Sequence, residues 1–161
     1  MLSLEVLRWL HIIGAAVLMG TGAGIAFFMV MAHRTGRPAL IAHVAGTVVV
    51  ADAVFTATAV IAQPVTGVLL AREIGWSLGE GWIVLSLALY VITGLCWLPV
   101  VWIQARLRDL ARTAAREETP LPPRYHDLFR VWFVLGFPAF AAVLAILWLM
   151  VARPDISLLW N

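Results

Sequence analysis

The stretch from Ala45 to Ala71 reads "AGTVVVADAVFTATAVIAQPVTGVLLA". It holds one charged residue, Asp52, in 27 positions. A membrane-spanning helix needs ~20 predominantly apolar residues to cross ~30 Å of hydrocarbon, so this run is long enough. Three more runs of the same kind flank it: Leu4 to Met31, Gly81 to Gln104 and Leu128 to Ala152. The expected fold is all-α, an integral membrane four-helix bundle filling residues 1–161 as a single domain, with polar loops over 32–44 and 105–127 and a short one, "REIGWSLGE", over 72–80. "ARLRDLARTAAR" (105–116) reads as a continuation of the third helix into water before the breaker "PLPP" (120–123).

Composition agrees with that reading. Hydrophobic residues make up 63% of the chain and charged ones 12%, and the mean hydropathy is +0.96, far outside the range of a soluble domain. All eleven basic residues are arginines against nine acids, which excludes a nucleic-acid-binding surface. Cys96 is a lone cysteine, so no intrachain disulfide is available. The first apolar run is too long for a signal-peptide core of ~7 to 15 residues, so Met1 onward is expected to be mature protein.

Arginine placement predicts orientation. Arg34, Arg37, Arg106, Arg108, Arg112, Arg116, Arg124 and Arg130 gather at one side, and Arg8, Arg72 and Arg153 at the other. The positive-inside rule puts the first and third loops in the cytoplasm and both termini outside. Trp9, Trp76, Trp82, Trp148 and Trp160 then fall near the outer boundary as an aromatic belt.

The bundle interior is expected to be partly polar. His11 shares a helix face with Gly14, Ala15, Leu18, Gly22, Ile25 and Met29, whereas Gly20 and Gly24 project from the other side, suited to a helix contact or a homodimer face. On the second helix Asp52, Thr56, Ala59, Gln63 and Thr66 lie within about 40° of one line. Ser86, Tyr90, Thr93, Trp97 and Gln104 repeat the pattern on the third, and Phe129, Phe133, Phe137, Phe140 and Leu147 form a mostly aromatic stripe expected to answer them from the fourth. Polar stripes in lipid must face one another, because an unsatisfied polar group there costs several kcal/mol by rough apolar-transfer estimates.

By depth, His11 is level with Gln63 and close to Tyr90, while Asp52 lies in the inner half, within possible reach of Arg130. Pro64 frees the carbonyl of Val60, which either opens space beside His11 or is answered by Thr66. Three readings of His11 stay open from the residues: a hydrogen-bonding residue between helices, an axial ligand for haem or another metal cofactor, or part of a proton or ion path that includes Asp52 and Thr56. His33, His43 and His126 lie about 30 Å away along the helices, too far to share an iron with His11. With Asp127 they form a conceivable metal site at the rim, without a recognised ligand spacing.

"LHIIGAAVLMGTGAGIAFFMVMAHRTG" (10–36), "QPVTG" (63–67), "LALYVITGLCWLPVVWIQARLRDLA" (87–111) and "PLPPRYHDLFRVWFVLGFPAFAAVLAILWLMVARP" (120–154) resemble an uncharacterised bacterial inner-membrane family of predicted four-helix proteins of unknown function. The resemblance implies a fold and a location and no activity. Arg8, Trp9, Leu10, His11 and Ile12 are more distantly similar to the opening of the first helix in HemJ-type protoporphyrinogen oxidases and CopD-like membrane proteins. The HemJ likeness implies haem b at His11 and an oxidoreductase or electron-transfer role. That family also relies on a lysine in a later helix; this chain has none, so His11 is the one position carried over. With haem b as cofactor, the expected site is His11 with Gly14, Gly22, Gln63 and Tyr90. The alternative is a non-enzymatic accessory or assembly subunit, or a small proton-coupled carrier that uses Asp52.

Overall fold

The structure is a computed structural model that describes residues 3–156. It is all-α, with no strand among those residues. Helix one spans Leu4–Arg34, helix two Pro38–Ile74, helix three Gly81–Arg116 and helix four Pro123–Ala152, each long and apolar enough to cross a membrane. The loops at the arginine-rich end are therefore shorter than the polar stretches 32–44 and 105–127. Apolar character marks where lipid can lie against a helix, whereas backbone hydrogen bonding carries the same helix on into polar surroundings.

Local chemistry sets the ends. Pro38 and Pro123 stand in the first turns of helices two and four, where the missing N–H removes no hydrogen bond. Gly75, at φ 86°, closes helix two in the left-handed region, and the Trp76 amide then returns to the Ala71 carbonyl at 2.8 Å. Inside helix two, Asp52–Thr56 forms a single π-helical turn.

Packing is concentrated in the arginine-rich half. There Met29, Ile41, Ala45, Leu107, Ala111, Tyr125, Phe129 and Trp132 form one buried cluster drawn from every helix. A smaller cluster of Trp82, Ile83 and Leu149 closes the opposite end. Between them helix two changes partner: Pro38–Ala51 packs along helix three, and Ala57–Ile74 packs along helix one instead.

Several expected placements are corrected. On helix four Phe129 is buried, but Phe133, Phe137 and Phe140 are exposed on the lipid-facing surface, while Trp132, Ala142 and Leu149 turn inward. In lipid both faces of a helix are apolar, so hydrophobicity does not identify the packed face, and small residues permit the closer approach. Trp82 is buried and meets Trp76 edge to face at 5.2 Å, so among the described members of the expected belt Trp9 and Trp148 are the well-exposed ones. Trp160 lies outside the described residues. Arg130 does not reach Asp52; it is a solvent-facing side chain 3.9 Å from Asp127 on its own helix.

Candidate functional site

Helices one and two meet around His11. Its Nδ1 lies 2.9 Å from the Thr66 hydroxyl, and the Gln63 side-chain amide donates to the His11 backbone carbonyl at 2.8 Å. Gln63 and Thr66 are three residues apart, so one face of helix two grips both the backbone and the ring of the histidine. The depth match between His11 and Gln63 is therefore realised through the carbonyl, with the imidazole left to Thr66.

Two glycines make this contact possible. A Cβ on Gly14 would sit 2.2 Å from Gln63 Nε2, and a Cβ on Gly67 would sit 3.2 Å from the ring carbon Cε1 of His11. Thr66 and Gly67 belong to the site as structural partners, beyond the residues expected from the sequence. The signal was present in the sequence, since Gln63, Thr66 and Gly67 follow the i, i+3, i+4 pattern of one helix face.

The hydrogen bonds also bear on the tautomer. The Thr66 hydroxyl lies 2.8 Å from the Ala62 carbonyl and 3.2 Å from that of Gln63, so its own helix offers two acceptors for its single proton. With the proton there, Thr66 Oγ1 accepts from Nδ1–H and the lone pair stands on Nε2; with the proton given to Nδ1, the N–H stands on Nε2 instead. Nε2 makes no hydrogen bond among the described residues and is not one of the enclosed polar atoms.

Tyr90 is placed elsewhere. Its hydroxyl donates across the bundle to the Val60 carbonyl, the acceptor that Pro64 leaves without an intrahelical donor. Thr66, bonded to Ala62 and Gln63, does not perform that repair. Gly22 has no heavy atom within 4 Å of where its Cβ would stand, and the same holds for Gly20. Gly24 meets only Phe28 of its own helix, at 3.9 Å, so neither Gly20 nor Gly24 packs on another helix.

A second polar cluster surrounds Asp52, in the half of the bundle nearer the arginine-rich end. Asp52 is 4% exposed, Thr56 7% and Gln104 1%. Thr56, Trp97 and Gln104 are the side chains that face the carboxyl group. None completes a hydrogen bond: Asp52 Oδ2, Thr56 Oγ1, Trp97 Nε1 and Gln104 Oε1 are all buried without a partner among the described residues. The rim histidines do not assemble a metal site. His33 stacks on Phe129 at 3.7 Å between ring centroids and lies 5.9 Å from His126, and no group of three or more His, Cys, Asp or Glu suited to a metal occurs among the described residues.

Residues 5–154 match the family described as predicted integral membrane protein, DUF2269. The chain belongs to this family. As a DUF2269 protein it is an integral membrane protein with four apolar helices among the described residues. No curated protein and no solved structure matches this DUF2269 chain.

Proposed function

We propose that this is a haem b-binding protein of the bacterial inner membrane, with His11 as axial ligand and an electron-transfer or oxidoreductase role. The observation that supports it is the setting of the imidazole: Nδ1 is held 2.9 Å from the Thr66 hydroxyl, whose proton has an acceptor on its own helix, and Nε2 has no hydrogen-bond partner among the described residues. Metal-bound histidines commonly donate their other ring nitrogen to such a partner, which fixes the tautomer and the ring orientation. A lone histidine is a poor site for a bare ion. It suits haem, whose porphyrin supplies the four in-plane nitrogens and needs from the protein only an axial ligand.

In this reading His11 would hold the iron, Thr66 and Gln63 hold His11, and Gly67 gives the ring room. Gly22, eleven residues further along the His11 face of helix one, has open space before it. Gly14 and Tyr90 act indirectly, Gly14 by admitting Gln63 and Tyr90 by fixing helix two. Bound haem supplies one-electron chemistry at the ring, and the surrounding apolar residues exclude water from it. The arginine-rich loops lie in the cytoplasm and both termini outside. The surface carrying Gly20 and Gly24, on the side of helix one away from His11, is open to a second copy of the chain.

The test is a reduced-minus-oxidised visible spectrum of protein purified in mild detergent from haem-replete cells, with a pyridine haemochrome assay. A b-type spectrum near one haem per chain, lost in His11→Ala and kept in Asp52→Asn, is the expected result. A colourless, folded protein would remove the reading and leave His11 as a helix-joining residue in a non-enzymatic accessory subunit.

A further inference from the structure

The π-helical turn at Asp52–Thr56 coincides with the point where helix two leaves helix three for helix one. Such turns insert an extra residue into a helix and occur frequently at functional sites. Here it places Asp52 at the fork, with Thr56 buried beside it and Trp97 and Gln104 reaching over from helix three. The unpartnered groups there are complementary. Trp97 Nε1–H and the Thr56 hydroxyl offer donors, while Asp52 Oδ2 and Gln104 Oε1 are acceptors. One water has two donors and two acceptors, so it matches this set group for group.

No fixed cation balances the carboxyl group. Helix one carries His11, bonded to Thr66 near the terminal end of the bundle, and no titratable side chain over residues 12–32; helix four carries none over 131–152. On helix three the titratable residues within the span are Tyr90, bonded to Val60, and Cys96, next to Trp97. Arg112 reaches helix two at Gly46, six residues nearer the arginine-rich end than Asp52, and Arg130 faces solvent. A lone carboxylate in a membrane is strongly disfavoured, so it must hold either a proton or a small cation. The indole N–H turned toward the carboxyl opposes a cation, and a hard cation wants about six oxygen ligands where Asp52, Thr56 and Gln104 together supply four side-chain oxygens.

We infer that Asp52, with Thr56, Trp97 and Gln104, forms a proton-binding site within the membrane. The carboxylate takes a proton from water to become a neutral acid and returns it to water on release, and no other reactant enters. The site lies about 20 Å along helix two from Thr66, by the helical rise, and its test needs no haem, so its outcome is independent of the haem reading.

The experiment is infrared difference spectroscopy of the whole protein in lipid across a pH series. A carboxylic C=O band that disappears as pH rises, is indifferent to sodium and is absent in Asp52→Asn is the expected result. Thr56→Val and Trp97→Phe should shift the band's frequency or midpoint, which keeps the test open if Asp52→Asn does not fold. A band removed by sodium at constant pH overturns the inference in favour of a cation site. It is equally overturned by a wild-type spectrum with no titrating carboxylic band, by a band that survives in folded Asp52→Asn, or by one unmoved in both neighbouring variants.

Discussion

A threonine hydroxyl bears on what His11 can do. In the haem reading Thr66 uses its proton on the Ala62 carbonyl, accepts from Nδ1–H and leaves Nε2 basic. Thr66→Val removes that acceptor while keeping the shape, and by analogy with other supports of metal-bound histidine should weaken haem retention by about 10–100-fold. Thr66→Ser should restore most of it. The measurement is haem titration of the apoprotein; equal affinity in the valine variant would show that Thr66 does not support the ligand. Gly14 tests the other grip. A Cβ there displaces the end of the Gln63 side chain, not backbone, so the cost is the lost hydrogen bond, about 1 kcal/mol for an interhelical bond in a membrane. In thermal unfolding, Gly14→Ala should destabilise the wild type and be close to neutral in a Gln63→Ala background. Equal costs in both would mean the clash lies elsewhere.

Helix two carries two local departures from regular α-helix, the π-turn at Asp52–Thr56 and Pro64. Tyr90 repairs the second by donating to the Val60 carbonyl. Tyr90→Phe should therefore cost about 1 kcal/mol, whereas in Pro64→Ala the restored amide serves Val60 and the same substitution should cost little. The comparison is made by unfolding in detergent, and an unchanged penalty would argue against the repair. The freed carbonyl was legible in the sequence because a proline's missing N–H has one fixed consequence four residues back. Its partner was not, since the donor comes from 30 residues away on another helix. The polar stripe of Asp52, Thr56 and Gln63 was legible for a related reason: polar groups in lipid must turn inward. The aromatic stripe on helix four was misplaced because phenylalanine is at home on either face. The π-turn left no mark in a residue pattern counted at a constant 100° per residue.

At the scale of the molecule, a large buried cluster packs one end, while the other is held by a smaller cluster and a few polar bonds between helices. The buried cluster around Met29, Leu107 and Tyr125 unites all four helices at the arginine-rich end. Toward the termini, helix two belongs with helix one and meets helix three through side chains such as Tyr90. That asymmetry places the haem proposed at His11 on the looser side and the Asp52 fork between it and the packed base. The orientation proposed rests on charge: eight arginines lie at the packed end and three at the other, and positive loops are as a rule retained inside. With Cys96 replaced by serine, Ser77→Cys in the loop after helix two should react with a membrane-impermeant thiol reagent in cells whose inner membrane is intact. Thr119→Cys, between helices three and four, should react only once that membrane is opened. The reverse pattern would invert the protein and open the His11 half toward the cytoplasm, where its electron partner would then have to be sought.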